Sequence, residues 1–139
     1  MKENYKSLGF IIAKTANSLK AKLYHALKPF DITPEQLAVM KTLWDEDGLP
    51  QSELANRTFK DPPNTARILD RLVKKKLITR KNNPKDRRSA LVFLRKKGFQ
   101  LEHDILPEIM ELRKKLYKSI SDEEYDLLIG LLTRILDDL

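Results

Sequence analysis

Between Arg57 and Lys97 the chain carries fifteen Lys/Arg residues against three acids, Asp61, Asp70 and Asp86, a formal charge of +12. The whole 139-residue chain is only +7, so everything outside this stretch sums to −5. Charge concentrated in one contiguous segment is the footprint of a polyanion-binding surface, not of a uniformly solvated shell. The same stretch is tightly punctuated. Asp61-Pro62 is a helix start, and Asn82-Asn83-Pro84 is turn chemistry that forbids continued helix. Two β-prone runs, Leu77 to Lys81 and Ala90 to Arg95, flank that turn. A capped basic helix followed by a basic hairpin is therefore the element that the rest of the chain must accommodate.

Composition narrows the classes. At 16.2 kDa the chain fits one domain, and its 41% hydrophobic content can supply a core, while 34% charged and a pI near 9.6 are high. No run approaches the roughly 18 apolar residues of a membrane span. The N-terminal MKENYKSLGFIIAK has only a brief apolar patch and no small-residue cleavage site. The absence of cysteine excludes disulfides, thiolate zinc sites and thiol redox switches within the chain. A cytoplasmic protein with no membrane contact is the expectation.

Taken in order, Leu8 to Leu27 sets Leu8, Ile11, Ile12, Thr15, Leu19, Leu23, Ala26 and Leu27 on one face of a helix that Pro29 stops. Such a stripe packs either on a second subunit or back on its own chain; this segment alone does not choose. Thr33-Pro34-Glu35-Gln36 is a capping box that opens a second helix, which Asp45-Glu46-Asp47-Gly48 ends. Trp44 on that helix reads as core or as ligand lining. Leu49 to Phe59 reads as a short third helix. A fourth runs from Pro62 to Leu77, with Ile68, Leu69, Leu72 and Val73 inward and Asn64, Thr65, Arg67, Arg71 and Lys74 on its other faces. Two helices joined tightly, the second basic on its exposed side, make a helix-turn-helix. The hairpin that follows, with Lys85, Arg87 and Arg88 near its tip, supplies a wing. Lys74-Lys75-Lys76 reads as a solvated helix end.

Lys97-Gly98 reads as a junction. Beyond it, Phe99, Ile105, Ile109, Leu112, Leu116 and Ile120 give a fifth helix that Pro107 kinks or splits. Ser121-Asp122-Glu123-Glu124 caps a sixth, with Leu128, Leu131, Leu132, Ile135 and Leu139 at helical spacing. These two helices carry ten acids against five bases, which sets them apart from any nucleic acid. The expected fold is mainly α with a small β-hairpin wing: a winged helix-turn-helix with helices on either side.

The central stretch resembles the MarR family of bacterial transcriptional regulators. The matching residues are Gln51-Ser52-Glu53-Leu54-Ala55, then Thr65-Ala66-Arg67-Ile68-Leu69-Asp70-Arg71-Leu72, then Leu77-Ile78. In the wing, Asp86-x-Arg88, five residues and Leu94 follow the family's D-x-R-x5-L-T signature, with Arg95 in the last place. Lys76 stands where the family's KKGLI has glycine. The resemblance implies a single domain over residues 1–139, in which 1–30 and 98–139 form a homodimer interface and 33–97 bind DNA. It implies a pseudo-palindromic double-stranded operator, with the fourth helix in the major groove and the wing in the minor groove.

Carried over by position, Pro63, Asn64, Thr65 and Arg67 approach base edges. Arg88 is the wing residue, steadied by Asp86 and flanked by Arg87. Ser52, Lys60 and Arg71 go to phosphates. This suits the chemistry, since arginine pairs bidentately with guanine, asparagine with adenine, and arginine favours a narrow minor groove. Asp70 is expected to be structural, in a pair with Arg67. The family also implies small aromatic or anionic effectors in a cleft beside the dimer helices, for which Tyr24, His25 and Trp44 are candidate lining. Repression is the expected sense of regulation.

Two other classes compete. A winged-helix interaction module would bind RNA or an acidic protein. The basic stretch, however, has only Phe59 and Phe93 to stack on bases, and both read as core. An enzyme would need a nucleophile–base pair, a metal set or a glycine-rich phosphate loop, and the chain has two histidines and four glycines. No cofactor and no metal are expected; His25 and His103 read as surface or interface residues, with a shared metal across a dimer as the alternative.

Overall fold

The computed structural model describes residues 7–59 and 61–139. These residues form two compact units, one reaching to Leu106 and one from Pro107 to Leu139.

The first unit opens with α1 (Leu8–Leu27), capped by the Ser7 hydroxyl, which accepts from the Phe10 amide. A 3-10 turn (Lys28–Phe30) with Pro29 in its first turn follows, and Asp31 closes it in the left-handed conformation. The Thr33–Gln36 capping box is fully formed at the head of α2 (Pro34–Asp45). Gly48 then takes φ +77°, and a Cβ there would run into the Phe93 ring at 2.8 Å, so both backbone and packing require glycine.

Leu49–Pro50 is a short strand, β1, where a helix was expected to begin, and α3 spans Gln51–Arg57. Pro50 cannot donate, which confines such a strand to a sheet edge. Next come α4 (Pro62–Lys74), β2 (Ile78–Lys81) and β3 (Leu91–Leu94). The antiparallel sheet has the order β1-β3-β2, with Leu49 opposite Val92 and Arg80 also opposite Val92 on the other side. The wing is thus three-stranded.

The end of α4 explains how the chain manages without the expected glycine. Lys76 adopts φ +63°, its amide donates to the Val73 carbonyl, and the Leu77 amide donates to the Leu72 carbonyl. This is the Schellman closure with lysine in the left-handed position, at roughly 1–2 kcal/mol of backbone strain. Lys75 is not a solvated residue. Its ammonium donates to the Gln36 side chain at 2.9 Å and to the Asp31 carbonyl, tying the end of α4 to the α1–α2 corner.

Helix α5 spans Lys96–Leu116 and runs unbroken through Pro107, so the split is not realised. It begins before Gly98, which lies in its first turn instead of marking a junction. A Cβ at Gly98 would meet the Leu77 carbonyl, so glycine is there for close approach. Helix α6 (Asp122–Asp137) starts on a complete Ser121–Glu124 capping box.

The core gathers α2, α3, α4 and the sheet: Leu37, Met40, Leu43, Leu54, Leu69, Leu72, Ile78 and Val92 are all fully buried. Each such side chain contributes about 1.5–3 kcal/mol relative to exposure. On α1, by contrast, Leu27 alone is buried, and Leu8, Ile11 and Ile12 stay exposed. The C-terminal part of the stripe packs on its own chain, with Leu19, Leu23 and Ala26 half-buried and Leu27 buried, while its N-terminal part stays uncovered. On α6 no residue is buried. Val73 and Phe59, both expected inside, are exposed at 36% and 39%.

Candidate nucleic-acid interface

The interface candidate is built on the N-terminus of α4. The Asp61 carboxylate accepts from the Asn64 amide at 3.1 Å, and Pro62 occupies the first helical position, giving this end a rigid start. Pro63, Arg67 and Arg71 face solvent, with Asn64 half-buried beside them. The Arg67 guanidinium donates to the Asn64 side-chain carbonyl at 3.5 Å, placing the two candidate base readers side by side.

Thr65 does not join them. It is 0% exposed, and its hydroxyl has no hydrogen-bond partner among the described residues. The reason is periodicity. Thr65 precedes Ile68, Leu69 and Leu72 by three, four and seven residues, so it belongs to the inward stripe.

The wing is ordered by side-chain-to-backbone bonds around its turn. Asn83 accepts from the Lys85 amide at 3.0 Å, and Asp86 Oδ1 accepts from both the Arg88 amide at 3.0 Å and the Arg88 Nε at 3.2 Å. Those contacts, the backbone one foremost, hold the Asp86 carboxyl below its usual range, so the anchor stays ionised. The Arg88 side chain is 92% exposed, and Arg87 is exposed beside it.

Ser89, buried at the wing base and unnoticed in the sequence, joins wing to helix-turn-helix. Its hydroxyl donates to Ser52 Oγ at 3.0 Å and accepts from the Ser52 amide at 3.1 Å. Ser52 therefore meets the solvent as a residue already held by the wing. Between them lies an open cleft of about 360 Å³ lined by Ser52, Pro62, Arg87, Arg88 and Ser89 among others. Lys60 lies outside the described residues.

Asp70 pairs with Arg80, at 2.7 Å, not with Arg67. Arg80 carried no signal in the sequence beyond membership of a β-prone run. Its Nη2 also donates to the Ala66 carbonyl at 3.2 Å.

The effector candidates are scattered. Tyr24 and His25 meet edge to face at 5.9 Å on the exposed side of α1, and the Trp44 indole donates to the Gly98 carbonyl at 3.0 Å. The cleft below the wing, a hollow of about 300 Å³ on α2 and α4, and one of about 380 Å³ at the α5–α6 corner are lined by other residues. Among the described residues no group of three His, Asp or Glu is placed to hold a metal, and no helix is long and apolar enough to cross a membrane.

Comparison with known proteins bears on this arrangement directly. The MarR family profile matches residues 32–90, the segment from the α2 cap to the wing base. Wild-type MarR from E. coli, solved in its apo form, is 30% identical, with 94% of this chain and 98% of that one covered and a TM-score of 0.76. The chain belongs to the MarR family. A cysteine-to-serine mutant of the same MarR complexed with operator DNA is 28% identical, with a TM-score of 0.87 over 96% of both chains. Among curated relatives, the HTH-type transcriptional regulator MhqR of Bacillus subtilis is 22% identical over 97% of this chain and 93% of its own. The winged-helix fold and the family make this chain a DNA-binding transcription regulator and not an enzyme.

Proposed function

We propose that this MarR-family protein is a cytoplasmic repressor that binds a pseudo-palindromic operator as a homodimer and lets it go when a small aromatic or anionic effector binds. One observation carries the reading: α4 and the wing expose Arg67, Arg71, Arg87 and Arg88 on rigid supports, at the two places a winged helix meets a duplex. Arg67 and Asn64, with Pro63 beside them, are assigned to the major groove and Arg88, on its Asp86 anchor with Arg87, to the minor groove. Ser52, Lys60 and Arg71 are assigned to phosphates, which position without specifying.

The homodimer is supported by the apolar residues left uncovered on the flanking helices: Leu8, Phe10 and Ile11 on α1, Phe99, Leu106 and Met110 on α5, and Leu128, Leu131 and Ile135 on α6. Effector control is supported by the hollow of about 300 Å³ in which Arg67, Arg71 and Asn64 meet Gln36 and Ile68, two arginines against the single carboxylate of Glu35. An anion there competes with DNA for the same arginines. The Tyr24, His25 and Trp44 trio has weaker support, since the Trp44 N–H is committed to Gly98.

The test is fluorescence anisotropy of the protein on the DNA beside its own gene, against a random duplex of equal length, at several salt concentrations. Specific binding exceeds the control by at least about a thousandfold and saturates at one dimer per palindrome. Equal, steeply salt-dependent binding to both duplexes would mean charge without readout.

A further inference from the structure

Arg80 sits mid-strand in β2, yet its guanidinium leaves the sheet to grip one turn of α4. Nη1 lies 2.7 Å from Asp70 Oδ1, and Nη2 donates to the Ala66 carbonyl at 3.2 Å. Ala66 and Asp70 are four residues apart, hence stacked on one helical face. A planar guanidinium holds two acceptors in a fixed fork, where an ammonium is a point charge with freely rotating donors. Two fixed points on one helix, a backbone carbonyl and a side-chain carboxylate, restrain both the height and the rotation of the helix against a strand; one point leaves the rotation free.

The Arg80 side chain is only 28% exposed, so it is largely withdrawn from solvent. Its buried Nε, without a partner among the described residues, is a cost that the Asp70 and Ala66 contacts must offset. Arg67, bonded to Asn64, follows Ala66 directly. On the strand side, Lys81 leads straight into the turn that carries Arg87 and Arg88.

We propose that Arg80 is a positioning residue for DNA reading: through Asp70 and the Ala66 carbonyl it latches the recognition helix to the wing, so that both arms meet a duplex in one register. It does so without touching the DNA. The latch rests on the DNA-reading function proposed above.

Two variants of opposite charge separate a latch from a charge effect. Arg80→Met removes a positive charge and Asp70→Ala a negative one, so their affinities for a scrambled duplex shift in opposite directions. The latch requires both to lose discrimination. The ratio of affinity for a duplex enriched from a random pool by the wild-type protein to affinity for the scrambled duplex falls at least about tenfold in each. Arg80→Lys, which keeps the Asp70 pair, falls between. Circular dichroism melts establish that each variant is folded at the assay temperature; should Arg80→Met not be, Asp70→Ala, whose side chain is 60% exposed, carries the test.

Both variants keeping the wild-type ratio overturns the latch alone. A loss of the ratio confined to Arg80→Met makes Arg80 itself a base contact and overturns the latch as well; an equal loss of affinity on both duplexes, with the salt slope reduced by about one, makes it a phosphate contact and does the same. Failure of the wild type to enrich any sequence overturns the DNA-reading function and the latch together.

Discussion

Helix α4 in the basic middle of the chain and helices α1 and α6 outside it all carry apolar stripes, and the stripes meet different fates. In α4 the stripe Ile68, Leu69, Leu72 is covered by α2, α3 and the sheet of the same chain. In α1 and α6 apolar residues also recur at helical spacing, yet Leu8, Ile11, Ile12, Leu128, Leu131 and Ile135 remain exposed. Periodicity in a sequence tells that a helix has a face to hide. What covers the face depends on what else the chain brings near, and the charges hint at the answer. The middle is covered from within and turns basic residues outward, while α6 carries five acids against Arg134 alone.

The contrast breaks most violently at Leu69, which is fully buried. Leu69→Ala is expected to cost about 2–5 kcal/mol in urea unfolding, because the surrounding elements cannot collapse into the cavity. A cost below about 1 kcal/mol would mean that the recognition helix is not seated on this core.

The flanking helices respond differently. Leu131→Glu is expected to leave the fold of the first unit intact and to weaken self-association by about 2–3 kcal/mol, thirtyfold or more, through a charge placed in an apolar contact. Sedimentation equilibrium measures it. Unchanged association would move the interface off α6.

Arg88→Ala sharpens the comparison on the basic side. Truncating it is expected to weaken operator binding by about 1–3 kcal/mol with no loss of melting temperature, since the side chain is almost wholly exposed. Unchanged anisotropy titrations would make the wing tip a bystander.

Much of this was legible in the residues. Capping boxes at Thr33 and Ser121, the Asp61 cap, the Gly48 exit and the Asn82-Asn83-Pro84 turn are local signals, and each sits where local chemistry put it. The Asp86–Arg88 tie was also readable, being two residues long. The missing pieces are contacts between distant segments. The strand Leu49–Pro50 exists only because β3 pairs with it, and two residues carry no pattern of their own. Gly98 looked like a joint but is a packing contact with Leu77, and Lys75 looked solvated but is bound to Gln36. Arg80 needed Ala66 and Asp70 in space before it meant anything.

Thr65 is the one failure that the sequence itself could have prevented, and it yields the smallest of the expected effects. Its side chain lies in the inward stripe of α4 with an unpartnered hydroxyl, beside base-reading candidates that point the other way. A buried hydroxyl without a partner costs desolvation and returns nothing, whereas a methyl in its place adds contact. Thr65→Val is therefore expected to be neutral or to stabilise by up to about 1 kcal/mol, reversing the usual penalty for a buried threonine-to-valine change. Operator affinity is expected to stay within about twofold of the wild type, since a side chain with no exposed surface cannot be exchanging contacts with a base. Denaturant melts and anisotropy on the same preparation give both numbers. Loss of operator affinity with stability retained would return Thr65 to the reading surface and imply that the N-terminal turn of α4 opens on DNA.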